Sequence, residues 1–212
     1  MRKALAIDLD GTLLSTNSFQ DYLTYCGHAA VHTFRFDIAL CIVFWVSLRK
    51  LRFIRHSTMK RHLLNRTATF MQHKERLDLF IERELISINH HAQQLMEQYR
   101  NRGYLFILST AAPGVYAHPI AENLHIDLCC ATLLPSEVVI GQWHENVGEQ
   151  KVEALRRMLQ VHKAELEVVI TDHYDDLPLL NYNEGDNYVV APSSKTKQML
   201  EKHCKRPYQV IE

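Results

Sequence analysis

The residues in this chain most able to do chemistry lie near its start, in Ala6-Ile7-Asp8-Leu9-Asp10-Gly11-Thr12-Leu13-Leu14. Lys3 to Leu9 reads as a buried strand that runs into two carboxylates and a glycine turn. Residues two apart on a strand face the same side. Asp8 and Asp10 are therefore expected to project together from its carboxyl end, where open parallel sheets bind their ligands. Two carboxylates held there repel each other unless a cation or a proton lies between them.

Three later positions carry polar groups that can join them. Leu105-Phe106-Ile107-Leu108 ends in Ser109-Thr110 and leads into a helix, whose free N–H groups together with a hydroxyl suit a phosphate. Ser and Thr also cap helices for stability alone. Val168-Val169-Ile170-Thr171 ends in Asp172-His173-Tyr174-Asp175-Asp176, a second acidic cluster after an apolar strand. A solvated helix cap accounts for Asp175 easily and for Asp172 poorly. With Asp8 and Asp10 these oxygens suit magnesium, a hard cation that keeps several waters. Lys151 opens a helix, where the dipole disfavours a cation, so it either meets an anion or is a plain surface lysine.

The elements that must position these groups divide in two. From about Thr16 to Gly103 the pattern is helical, with no proline and Gly27 as the expected break. Phe19, Tyr22, Leu23 and Cys26 follow helical spacing, as do Leu77, Phe80, Ile81, Leu85 and Ile88. Helices are expected over Ser57–Leu64, Thr69–Ile88 and His90–Arg102. Beyond Gly103 strands and helices alternate: strand Tyr104–Leu108, helix Pro113–Leu124, a strand pair Asp127–Leu133 and Glu137–Trp143, and helix Glu149–Val161. Strand Glu165–Thr171, a short helix Asp175–Tyr182, strand Tyr188–Val190, helix Lys195–His203 and strand Tyr208–Ile211 follow. That alternation predicts an α/β fold, a Rossmann-like parallel sheet with helices on both faces, plus an inserted all-helical cap. The expected domains are a core of residues 1–15 and 90–212 and a cap of residues 16–89.

Composition bounds the partners. At 212 residues the chain can bury one good core and a small second unit. Lys plus Arg equals Asp plus Glu at 24 each, so no net charge draws it to nucleic acid or an anionic surface. The five cysteines form no CxxC pair and read as free thiols in a reducing cytoplasm. The first strand consumes the N-terminus, so no signal peptide is expected. The thirteen histidines show no HxH or HExxH spacing and read as ordinary surface or core residues. Ile38 to Leu48 is apolar but shorter than the roughly 20 residues of a spanning helix. It reads as a buried bundle helix, or else as a surface touching lipid or a greasy substrate. The basic residues from Arg49 to Arg66 read as a solvated face.

Asp8, Ser109, Lys151 and Asp172, each at an expected element end, resemble the four motifs of the haloacid dehalogenase superfamily over essentially the whole chain. The first, DLDGTLL, is specific; the Ser109 and Lys151 motifs gain weight from position. Thr171-Asp172-His173-Tyr174-Asp175-Asp176-Leu177-Pro178-Leu179-Leu180 and Leu108-Ser109-Thr110-Ala111-Ala112-Pro113 resemble the phosphoserine-phosphatase-like group. Thr171 and His173 depart from the small residues usual there, and the His173 ring could crowd a metal. About 100 residues separate the first motif from the second, room for a cap, whereas the roughly 40 between second and third are not.

The resemblance implies a phosphatase working through an aspartyl-phosphate. Asp8 would be the nucleophile and Asp10 the acid and then the base. Asp8, the Asp10 backbone carbonyl and Asp172 would hold Mg2+. Ser109, the N–H of Thr110 and Lys151 would hold phosphate oxygens, and Asp176 would orient Lys151 or a metal-bound water. Bringing a carboxylate to about 4 Å from each unit of phosphate charge costs on the order of 4 kcal/mol at an effective dielectric of 20, which is why cations are needed. An acid at position 10 favours phosphate-ester hydrolysis over dehalogenation. Where phosphoserine phosphatases carry an amine-reading glutamate, this chain has Asn17, which disfavours phosphoserine. The expected substrate is a small phosphate ester, partly apolar if the 38–48 stretch contributes. A phosphotransferase, or a catalytically inactive scaffold binding a phosphate ligand or a partner, is the alternative.

Overall fold

The computed structural model describes residues 1–139 and 141–212. Six parallel strands form one sheet in the order β3-β2-β1-β4-β5-β6, with β1 Arg2–Ile7, β2 Leu105–Pro113, β3 Leu128–Thr132, β4 Ala164–Thr171, β5 Asp186–Val190 and β6 Gln209–Ile211. The order reverses direction at β1, so the crevice beyond its carboxyl end is the switch point at which such sheets bind ligands.

Alternation along β1 decides which residues face which layer. Leu5 and Ile7 join the core beneath α5 (His90–Arg100) and α6 (Gly114–Asn123). Ala4 and Ala6 face the opposite core, built with α7 (Glu149–Val161), α8 (Leu177–Tyr182) and α9 (Ser194–His203). Helices thus cover both faces, as a buried parallel sheet requires. Both apolar sets are almost fully buried, which is where most of the stabilisation resides.

Between β1 and α5 the chain forms four helices, α1 Ser18–His32, α2 Phe36–Lys50, α3 His56–Met71 and α4 Lys74–Leu85. The chain leaves and re-enters this insertion side by side. Ser15 N–H donates to the Ser87 carbonyl at 2.9 Å and Asn89 N–H to the Leu13 carbonyl at 2.9 Å. The insertion also packs on the sheet layer: Tyr22 of α1, Phe80 of α4 and Tyr116 of α6 have ring centroids 5.2–5.7 Å apart in every pairing.

Several expected boundaries shift. The first strand ends at Ile7 rather than Leu9, so Asp10 lies beyond it, in an isolated bridge to Leu14. Gly27 lies inside α1 and breaks nothing. The expected helix Thr69–Ile88 is divided at Gln72–His73, with α3 capped where the Gln72 N–H reaches the Ala68 carbonyl at 3.0 Å. Of the expected strand pair only Leu128–Thr132 forms. Pro135 starts a 3-10 turn through Glu137, and Gly141 turns the chain with φ of 86°. Trp143 then donates its indole N–H back to the Leu133 carbonyl at 2.8 Å. Ile140, within that expected second strand, lies outside the described residues.

Candidate active site

The site assembles at the carboxyl ends of β1, β2 and β4. Ile7 pairs with Leu108 and with Ile170, so the next residue of each strand, Asp8, Ser109 and Thr171, lies abreast on one face. The side chains of Asp8, Asp10, Thr110, Lys151, Asp172 and Asp176 line one cavity of about 470 Å³. Six residues singled out in the sequence are thereby brought together. Ser109 is not among those lining the cavity: its Oγ is fully buried and has no hydrogen-bond partner. Such an orphan hydroxyl costs about 1–3 kcal/mol.

Lys151 is the electrostatic centre. Its Nζ donates to Asp8 Oδ1 at 2.8 Å and to Asp176 Oδ2 at 2.6 Å, with only 4% of the side chain exposed. Burial alone would lower its pKa, but Asp176 and Asp8 more than offset that and keep it charged. Asp176 is fixed further by the Thr171 hydroxyl at 2.7 Å. The surface-lysine reading of Lys151 is therefore excluded. Burial pushes Asp8 above the usual carboxylate range, with Lys151 pulling against it.

Asp10 turns toward the insertion. Its Oδ1 accepts from the Ser18 N–H at 2.7 Å, at the N-terminus of α1, and the Ser18 hydroxyl donates to Tyr116 Oη at 3.1 Å. Burial raises the Asp10 pKa against that hydrogen bond, the direction a proton donor near neutral pH needs. Asn17 caps α1 by accepting from the Gln20 N–H at 3.0 Å.

Asp172 reaches the site over Gly11. A Cβ on Gly11 would collide with the Asp172 carboxylate, and Gly11 has φ of 74°. Thr12 donates its hydroxyl to Asp172 Oδ1 at 3.3 Å. Burial raises the Asp172 pKa as well. Burial pushes all three carboxyls up together, so their ionised forms lack solvation here, and an all-oxygen donor set suits a hard divalent cation. Among the described residues no three His, Cys, Asp or Glu side chains gather tightly enough to hold a metal unaided. Two carboxylates with a backbone carbonyl and waters form the kind of set that magnesium takes. The His173 ring lies 4.2 Å from the Tyr174 ring, and its Nδ1 accepts from the Asp175 N–H at 3.2 Å.

One wall of the cavity was not foreseen. Lys60, read as part of a solvated basic face, is 3% exposed on α3. Its Nζ donates to the Ala111 carbonyl at 2.9 Å and to Glu145 Oε2 at 2.7 Å, and lies 5.0 Å from the centre of the Phe19 ring. Burial pushes Glu145 up, but His56 and Lys60 outweigh it and hold the carboxyl down at about 2. Asn146, beside it, donates to the Thr110 and Cys130 carbonyls at 3.1 and 2.9 Å, bracing the loop after β2. A signal for Lys60 was present: it shares the i, i+4, i+7 stripe with buried Leu64 and Thr67.

The haloacid dehalogenase-like hydrolase family matches residues 5–181, which include all the groups just described. The chain belongs to that family. A crystal structure of a protein of unknown function from Bordetella pertussis Tohama I is similar to this hydrolase, with a TM-score of 0.74 at 19% identity, covering 100% of this chain and 99% of that one. A phospho-aspartyl intermediate analogue of phosphoserine phosphatase gives 0.58 at 14%, covering 100% and 94%. A phosphoserine phosphohydrolase-like protein from Francisella tularensis subsp. tularensis SCHU S4 gives 0.56 at 16%, covering 99% and 94%. At these identities the likeness shows a shared fold. No curated protein matches the chain. Among the described residues no helix of the hydrolase is long and apolar enough to cross a membrane, and none of its five cysteines is paired.

Proposed function

We propose that the chain is a phosphatase that hydrolyses a small phosphate monoester through a phosphorylated Asp8. The observation that carries this reading is Lys151, buried and bonded at once to Asp8 and Asp176, with Asp10 held 2.7 Å from the first N–H of α1. A charged lysine there opposes the burial that raises the Asp8 pKa and, bonded to Oδ1, leaves Oδ2 to attack.

In the first half-reaction Asp8 Oδ2 attacks phosphorus, the ester P–O bond breaks, and Asp10 gives its proton to the departing oxygen. In the second, Asp10 takes a proton from a water that attacks phosphorus, releasing phosphate and restoring Asp8. The Thr110 N–H holds a phosphate oxygen, and the unpartnered Ser109 Oγ, buried behind the cavity wall, joins it only if a bound phosphate draws that hydroxyl into the cavity. Lys151 offsets the phosphate charge, and Asp176 orients Lys151. Asp8, the Asp10 carbonyl and Asp172 would hold Mg2+, which supplies further charge neutralisation on the phosphoryl oxygens. The paired crossings at Ser15/Ser87 and Leu13/Asn89 support residues 16–89 as a cap on a core of residues 1–15 and 90–212.

Hydrolysis of p-nitrophenyl phosphate, with magnesium, with EDTA and in Asp8→Asn, tests the reading. Magnesium-dependent turnover lost in Asp8→Asn is the expected result; turnover that survives Asp8→Asn would overturn the assignment.

A further inference from the structure

A second cavity, about 640 Å³, opens between α1, α2 and α3 and shares Asn17, Phe19 and His56 with the catalytic one. The two differ in chemistry. Six carboxylic residues line the catalytic cavity, from Asp8 to Asp176, whereas none lines the second. Its lining instead includes Leu23, Ile42, Val43, Val46 and Met59, together with the uncharged polar Gln20, Thr24 and Ser47 and the cations Arg49 and Lys50.

The α2 sequence makes this groove. It is apolar on every side, yet Ile38 and Ile42 are its only buried residues, and Val43 is 62% exposed. A helix of this composition that buries so little leaves apolar surface available to a ligand. Phe19 divides the two chambers, with Lys60 5.0 Å from its ring centre and His56 at 6.0 Å. A chain leaving a phosphate seated beside Asp8 would reach the groove past Phe19 and His56, which line both chambers.

We infer that the substrate is a phosphate monoester carrying an extended apolar chain, which lies in the groove between α1, α2 and α3 while its phosphate faces Asp8. This rests on the phosphatase reading and narrows it. A short polar ester would leave the groove wet, whereas each methylene placed there leaves water and strengthens binding.

Non-hydrolysable alkylphosphonates test the inference independently of turnover. Affinities of ethylphosphonate and decylphosphonate, the latter below its micelle-forming concentration, are measured by calorimetry on the wild-type chain, Val46→Asp and Leu40→Asp. Decylphosphonate is expected to bind at least tenfold more tightly than ethylphosphonate to the wild type. The ratio should collapse toward one in Val46→Asp and persist in Leu40→Asp, whose side chain is 68% exposed and does not line the groove. Equal affinities, no binding of decylphosphonate, or an equal loss in Leu40→Asp would each overturn the proposal, the last by putting the chain on the outer face of α2. Ethyl phosphate hydrolysis run in parallel separates the two claims: turnover without chain preference retains the phosphatase and rejects the groove.

Discussion

The Asp172 carboxylate occupies the space a side chain on Gly11 would fill. The turn after Asp10 and the end of β4 are thereby in direct contact, and the only residue compatible with that contact is one without a Cβ. Gly11→Ala is expected to displace Asp172 and add left-handed backbone strain of about 1 kcal/mol. Misplacement by about 1 Å costs on the order of 100-fold in kcat/KM. Steady-state kinetics beside a circular dichroism spectrum check it: more than a tenth of wild-type activity would show that Asp172 need not stay where it is.

Lys60 ties the insertion to the core through Glu145 and the Ala111 carbonyl. Lys60→Met leaves Glu145, 12% exposed, with only His56 at 3.5 Å for compensation. The expected cost is about 3 kcal/mol in urea unfolding, the low end for a broken buried pair because His56 remains. Lys60→Met with Glu145→Gln should recover part of it, because the stranded charge is removed. A double variant no more stable than the single one would mean that the pair is not the source of the loss.

Glu84, which does not line the cavity but feels Asp10, gives a further pH dependence. It is 3% exposed with an unpartnered Oε2. Burial, then Asp21 and Asp10, push its carboxyl up to about 7. The folded chain thus holds a proton that the unfolded chain releases above about pH 4.5. Stability from this group falls as pH rises from about 4.5 to 7 and is flat above. Glu84→Gln should match the wild type at pH 5 and exceed it by on the order of 2 kcal/mol at pH 8. Chemical denaturation at the two pH values decides, and an equal difference at both would refute the assignment.

Phe80, fully buried against Tyr22 and Tyr116, joins the insertion to α6. Phe80→Ala is expected to cost about 3–5 kcal/mol. Because the rings bridge both layers, near- and far-ultraviolet transitions should stay coincident in the variant. Separate transitions would mean that the insertion melts alone.

What the sequence made legible is what local chemistry and strand endings dictate. Carboxylates at the ends of otherwise apolar strands, as at Asp8 and Asp172, have no packing explanation, and the register of β1, β2 and β4 sets Asp8 abreast of Ser109 and of Thr171, the residue before Asp172. The parallel sheet followed from alternation past Gly103. The pairing of Lys60 with Glu145 was hidden because the two lie 85 residues apart and meet only through tertiary structure. The stretch Glu137–Trp143 has the composition of a strand, but its described residues stay off the sheet, beside a 3-10 turn at Pro135 and a positive φ at Gly141. The α3–α4 break carries no glycine or proline, so packing alone sets it.

Trapping the phosphorylated enzyme tests the central claim most directly. The wild-type chain is mixed with p-nitrophenyl phosphate and magnesium, quenched in acid during turnover, digested and read by mass spectrometry. A phosphoryl group on Asp8, released by hydroxylamine and absent from Asp8→Asn, is the predicted result. Turnover with unmodified Asp8 in the wild type, and with activity retained in Asp8→Asn, would contradict it.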